Sequence, residues 1–270
     1  MLKKILKWIV ISLVIFVFNL PLINIVMTSL KDESTISQSP PPLIYRPSLK
    51  NYISLFTSRT FVFTKFLFNS VVIALFTAAI TLALCLPTSY AVIRFGIGKR
   101  LILPIVTNMR SVPLIIFAPS AYVLFKQTNV VDTRTGIILI HILVALPLAL
   151  PLLISFMQDV PKEIQEAARI DGASDSLILL KIILPMILTS TVAVFLLSFV
   201  YSWNEFLFAL ILSIRKTTTL TVGASLFITA WGVQWGRIAA ATTLSVIPPF
   251  VLSFYLQKYL VEAFTGGLKE

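Results

Sequence analysis

The chain has 270 residues, 57% hydrophobic and only 12% charged, with a mean hydropathy of +0.95; a soluble domain carries about twice that charge density on its exterior. The exterior must therefore meet lipid, and 9 Gly, 15 Pro and the single Cys85 exclude a disordered, collagen-like or disulfide-stapled chain. The 22 basic against 11 acidic residues give +11, yet the basic residues are scattered in short gaps between apolar runs, the pattern of headgroup contact and membrane topology and not of nucleic-acid binding.

About 20 apolar residues cross the hydrocarbon core as a helix. Six such runs occur, at 5–30, 66–93, 101–125, 136–157, 182–212 and 238–262. The first follows Lys3 and Lys4, is too long for a signal-peptide core and lacks a small-x-small cleavage site, so it reads as an uncleaved helix with Pro21 as a tolerated kink. Residues 31–65, polar and broken by four prolines, read as an extracytoplasmic loop with one short surface helix. Loop Lys and Arg are nearly balanced across the two sides. The clusters next to span ends, Lys3, Lys4 and Lys7 and then Arg94, Lys99 and Arg100, fall on one side if the spans alternate, which puts both termini in the cytoplasm. The expected organisation is a transmembrane helix at 1–30, the loop at 31–65, a core transmembrane region at 66–262 and a cytoplasmic tail at 263–270: an all-α, polytopic, six-span membrane protein. No internal repeat of the kind secondary transporters often carry is evident.

One segment, 158–185 (QDVPKEIQEAARIDGASDSLILLKIILP), departs from this pattern. Pro161 suits an early first-turn position, Ile164, Ala167, Ala168 and Asp171 fall at helical spacing, and Gly172 supplies a left-handed terminating residue. Ser174 or Asp175 then caps a second helix carrying Leu177, Leu180 and Leu184 toward the membrane and running on into the fifth span. The knob shows small residues, Ala167, Ala168 and Ala173, beside Glu163, Glu166, Arg169 and Asp171, which suits a docking surface. Spacing alone also fits an amphipathic helix resting on headgroups, and somewhat favours it.

Glu166-Ala167-Ala168, Asp171-Gly172-Ala173 and Ile183-Leu184-Pro185 resemble the EAA loop of bacterial binding-protein-dependent ABC importers. Collinear matches follow over essentially the whole chain: Asn69-Ser70, Tyr90-Ala91, Arg94-Phe95, Trp203-Asn204-Glu205-Phe206 and the ending Gly266-Gly267-Leu268-Lys269. The set is similar to the smaller permease subunit of maltose-type carbohydrate importers. The resemblance implies the type I permease fold in a bacterial or archaeal cell membrane and one half of a translocation pathway for a sugar or oligosaccharide. It also implies as partners a second permease subunit, two ATP-binding subunits and an extracytoplasmic solute-binding protein. In that family the EAA loop is a coupling helix seated on the ATPase, so Glu166, Ala167, Ala168 and Gly172, supported by Arg169 and Asp171, are the implied docking residues.

The chain itself shows no catalytic, cofactor or metal site: it has no G-x-x-x-x-G-K-[ST], no cysteine pair and one histidine. That residue, His141, lies inside the fourth span without a partner one helical turn away, and reads as a neutral packing residue. Arg110 falls in the middle third of a span, where facing lipid costs at least roughly 2.5–3.5 kcal/mol. It should face the bundle interior or a wet cavity, unless the span is drawn too deep and it snorkels. The family more often has an uncharged residue there, so Arg110 is a candidate for substrate or subunit contact. Asn204 and Glu205 suit hydroxyl-rich solutes, and more readily an interhelical bond between two permease subunits. Region 213–237 holds Trp231 and Trp235, first of all interface anchors, and the resemblance points this loop toward the solute-binding protein. The alternative is a self-sufficient secondary carrier or channel for a small polar solute, against which the missing repeat and scarce intramembrane acids weigh. An enzyme cannot assemble a nucleophile, base and orienter from one His and one Cys, although carboxylate acid–base work is formally open.

Overall fold

The computed structural model describes residues 2–40, 42–58, 61–230 and 232–265. Residues 266–270, with the Gly266-Gly267-Leu268-Lys269 ending of the expected tail, and Trp231 lie outside the described residues. Helices dominate, and among the described residues four stretches are long and apolar enough to cross a membrane without a sharp bend, over Lys4–Ser29, Phe63–Phe95, Arg134–Gln158 and Trp235–Val261. The third and fifth expected spans are bent pairs, Ile102–Ser111 with Leu114–Gln127 at 105° and Asp175–Met186 with Leu188–Asn204 at 85°. Counting each pair as one crossing gives the six expected spans.

A proline stands at or near each bend. Pro113 forces the preceding Val112 out of the helical region, to φ −94° and ψ 127°. At the second bend Ile187 stands at φ −102° and ψ 17°, two residues after Pro185. The expected continuous helix from the knob into the fifth span is therefore corrected to a broken one. It also takes a π-helical turn over Ile178–Ile183 on the way.

The chain divides into two compact units, residues 1–67 with 222–247 and residues 68–221 with 248–270. In the first, α1 (Leu2–Ser29), α2 (Glu33–Ile36) and α3 (Lys50–Thr57) pack with α14 (Trp235–Ser245). Side chains stitch the polar turn after α1: Asn51 Nδ2 donates to Ser29 O at 3.0 Å and Lys31 O at 2.8 Å, and Glu33 Oε1 accepts the Gly236 N–H at 2.9 Å. Most of α1 is exposed apolar surface, including Trp8, Leu13 and Phe18, as a lipid-facing helix requires. A two-residue antiparallel ladder, β1 (Ile228–Thr229) with β2 (Gly232–Val233), is the one departure from an all-helical chain among the described residues.

In the second unit α4 (Phe63–Phe95), mostly here, and α11 (Leu188–Asn204) flank α7 (Arg134–Gln158). Two shorter helices, α5 (Ile102–Asn108) and α12 (Leu207–Leu212), also pack on it. Apolar residues surround α7 on nearly all sides, which marks a buried helix. Its first turns join Ile73, Ala118 and Phe208, its middle joins Leu82, Cys85 and Val194, and its last turn joins Tyr90, Ile178 and Ile183. Thr133 caps it, Oγ1 accepting the Gly136 N–H at 3.0 Å.

Just before that cap, the Asp132 carboxylate accepts the backbone N–H groups of Ile214, Arg215, Lys216 and Thr217 at 2.9–3.2 Å, and the Thr217 hydroxyl at 3.0 Å. Burial alone would push this carboxyl up. The N–H groups outweigh it and hold the group below the usual carboxylate range. Because the folded value is the lower one, the clip's contribution is complete above the unfolded value near 3.8 and is lost as pH falls through the folded value. In Asp132→Ala the amide hydrogen-exchange protection at 214–217 should fall by roughly 10–100-fold at neutral pH, the loss of a charge-assisted hydrogen bond. The unaltered protein should lose that protection only in acid. Equal protection in the two proteins at pH 7 would show that the clip does not hold the loop.

Candidate functional site

The knob begins with α8 (Lys162–Ile170), whose first turn carries Glu163 and last turn Arg169, each complementing the helix dipole. A Schellman turn ends it: the Ala173 N–H reaches Ala168 O at 3.0 Å and the Gly172 N–H reaches Arg169 O at 3.1 Å. Gly172 stands at φ +82°, a conformation a Cβ would disfavour. Ser174 occupies the N-cap position of α9 (Asp175–Leu177), without a side-chain capping bond.

Side chains fasten this hairpin to the end of α4. Tyr90 OH donates to Asp175 Oδ1 at 2.9 Å, and Arg169 pairs with the same carboxylate. The Arg169 guanidinium also lies 5.8 Å from the Phe95 ring centroid, and Arg94 Nη1 lies 3.8 Å from Glu166 Oε1. The buried stripe of α8 is Gln165 and Ala168, one step round from the stripe read in the sequence. Ala168 packs inward with Met157, Val160, Ile178 and Leu179. Of the six expected docking residues, Glu166, Ala167, Arg169, Asp171 and Gly172 are exposed, and Ala168 instead lets α8 sit close. Sequence reasoning missed Ile170, which is 87% exposed beside the turn. Its signal is an isoleucine two residues past Ala168, hence on the opposite side of the helix.

Arg110 lies in the 3₁₀ turn Met109–Ser111 at the break of the third span. It lines a cavity of about 150 Å³ with Leu114, Phe117, Leu143, Tyr201 and Phe208 among its walls. Arg110 is itself exposed, at the point where the third span is broken.

Asn204 and Glu205 part company: Asn204 is exposed, whereas the Glu205 side chain is 8% exposed and turned into its own chain. Glu205 Oε2 lies 3.0 Å from His141 Nε2, close enough for an ion pair though out of line for a straight hydrogen bond. His141 Nδ1 is 2.8 Å from Ser202 Oγ. The carboxylate also accepts the N–H groups of Phe208 and Ala209 at 3.0 and 3.1 Å, capping α12 where the chain restarts after α11. The expected intersubunit role for Glu205 is therefore replaced by an intrachain one, and His141 has a partner on another helix. Spacing offered one clue, since Ser202 and Glu205 stand three apart on a common face. Of region 213–237, Trp235 is exposed as an interface anchor requires.

Removing one member of this buried pair takes a polar partner from the other. His141→Ala and Glu205→Ala should each cost about 1–3 kcal/mol in the detergent-solubilised protein, and the double variant less than their sum, with a coupling of about 0.5–3 kcal/mol. A cycle read by thermal or denaturant unfolding that closes with zero coupling would show that the two groups do not interact.

Comparison with known proteins gives the arrangement a family. A trehalose/maltose transport system permease protein, MalG, of Thermococcus litoralis is 32% identical over 270 residues, covering 98% of this chain and 96% of that one. A sulfoquinovosyl glycerol transport system permease protein, SmoH, of Agrobacterium fabrum is 30% identical over 270 residues, covering 98% and 94%. A crystal structure of a bacterial ABC transporter involved in import of the acidic polysaccharide alginate contains a chain of the same fold, with TM-score 0.75, 20% identity and 96% of each chain covered. Residues 76–266 match the family of binding-protein-dependent transport system inner membrane components, and this chain belongs to it, as a multi-pass inner-membrane permease subunit of an ABC importer.

Proposed function

We propose that this chain forms half of the pathway by which the importer moves a sugar or oligosaccharide inward, and that it takes its stroke from an ATPase docked against α8. The complex is a heterodimer with a second permease subunit, two cytoplasmic ATP-binding subunits and an extracytoplasmic solute-binding protein, and both termini of this chain lie in the cytoplasm. The sugar cargo is supported by relatives whose names specify trehalose and maltose, and sulfoquinovosyl glycerol.

The observation that carries the coupling role is the build of the knob. A slack loop would absorb displacement, whereas α8 is closed by a Schellman turn, tied to α4 through Tyr90 and Arg94, and packed on the last turn of α7. Glu166, Ala167, Asp171 and Gly172 supply the polar and small parts of the outer surface. Ile170 supplies an apolar anchor of the sort that dominates interface energies when it fills a pocket. Closure of the ATPases on ATP would push α8, and through it the ends of α4 and α7. The chain has no phosphate-cradling sequence of its own, so hydrolysis belongs to the partner.

Co-purification with the ATPase subunits tests this reading. Glu166→Lys and Ile170→Asp should each weaken recovery of the ATPase by at least about tenfold, the loss of an interface hot spot. The permease should still run as a folded species on size exclusion. Ion-gradient-driven flux from the chain alone in liposomes, indifferent to changes at 166–172, would overturn it in favour of a self-sufficient carrier.

A further inference from the structure

The cavity at the broken third span carries information about the cargo. We infer that Arg110 receives an acidic substituent of the transported saccharide, a carboxylate or sulfonate, so that the importer handles charged sugars. This rests on the sugar-import reading above.

Three observations converge. Arg110 has no ion-pair or hydrogen-bond partner among the described residues, although it sits near the centre of a span. No acidic residue lines the cavity, so nothing in its walls neutralises the guanidinium. The cavity, at about 150 Å³, is far larger than the roughly 10–15 Å³ that one water needs. Its walls are mostly apolar and include the rings of Phe117, Tyr201 and Phe208, with the Tyr201 hydroxyl and Arg110 as the side-chain polar groups. A ligand site has this composition: apolar and aromatic walls with few placed polar groups that fix orientation. A pyranose ring offers C–H faces to such rings and hydroxyls to Tyr201. Arg110 is exposed in this chain taken alone; a neutral sugar would leave its charge without a counter-ion inside a span, whereas an anionic substituent meets the planar guanidinium in a paired, charge-assisted geometry.

A buried charged group in these spans shows the contrast. Glu205 is committed to His141 and to the α12 N–H groups, as a structural charge should be. Arg110 is uncommitted among the described residues at a break in a helix, and in many secondary transporters interrupted helices lie at the substrate path.

The test uses the whole importer, this chain co-expressed with its permease, ATPase and solute-binding partners in cells without other routes for the probes. Uptake is measured for neutral oligosaccharides (maltose, cellobiose, arabinobiose) and for acidic ones (di- and tri-galacturonate, alginate disaccharide, a sulfoquinovose glycoside). The inference expects uptake of at least one acidic probe. Arg110→Gln should lower that uptake by roughly 10–100-fold, the range for loss of a charge-assisted hydrogen bond, while Arg110→Lys restores a substantial part and the subunits still co-purify. Uptake of neutral probes only, or acidic uptake indifferent to Arg110→Gln, overturns the inference and leaves sugar import standing. Failure of the Arg110→Gln subunits to co-purify overturns it in favour of a contact with the second permease. If an assembled, ATP-hydrolysing complex takes up neither panel, the sugar reading itself falls, and this inference with it.

Discussion

Inside a membrane no water takes up a freed N–H or C=O, so every interruption of a helix must be answered by the chain itself. This chain interrupts its spans several times and answers each differently. Between α11 and α12 the reply is ionic: the Glu205 carboxylate covers the first N–H groups of α12 and is held by His141 from α7. At the third span Pro113 has no N–H to leave free, and 3₁₀ bonds from Val112 to Met109 and from Ile116 to Pro113 take up the slack. At Ile187 the chain turns sharply yet keeps its ladder, with Ile187 N–H on Ile183 O and Thr191 N–H on Ile187 O. The breaks are therefore finished features that the rest of the bundle is built round.

How far this was legible in the sequence depends on whether the determining interaction is local. The span count rests on apolar length, and the knob rests on Pro161 and Gly172, which act through their own backbone angles, so both could be read. The register of α8 could not. Ala167 and Ala168 are alike in composition, and only packing against Ile178 and Leu179 decides that Ala168 is inside and Ile170 outside. Pro113 and Pro185 were visible, but an apolar run says nothing of whether a proline kinks a span or folds it back through 85° or more. His141 looked solitary because its partners lie 61 and 64 positions away, on α11 and just beyond it. Arg110 announced itself by its cost, and its neighbours became known only once the third span was broken.

A single helix connects the two ends of the second unit. The last turn of α7 shares an apolar cluster with Ala168 of the knob, and its middle is clamped between α4 and α11. Toward the other end, Ile140 and Val144 form both the packing with Phe208 and one wall of the Arg110 cavity. Displacement applied at α8 would therefore reach the cavity wall through close-packed side chains, which transmit strain because they have little room to yield. Pro147 and Pro151 stand in α7 between those ends. Each removes one i to i−4 hydrogen bond, which makes α7 easier to bend between those ends. The π-helical turn Ile178–Ile183 and the bend at Ile187 do the same on the other side of the knob. In the proposed stroke the ends of α4, α7 and the fifth span would move with α8, and the halves nearer Arg110 would be free to part from them.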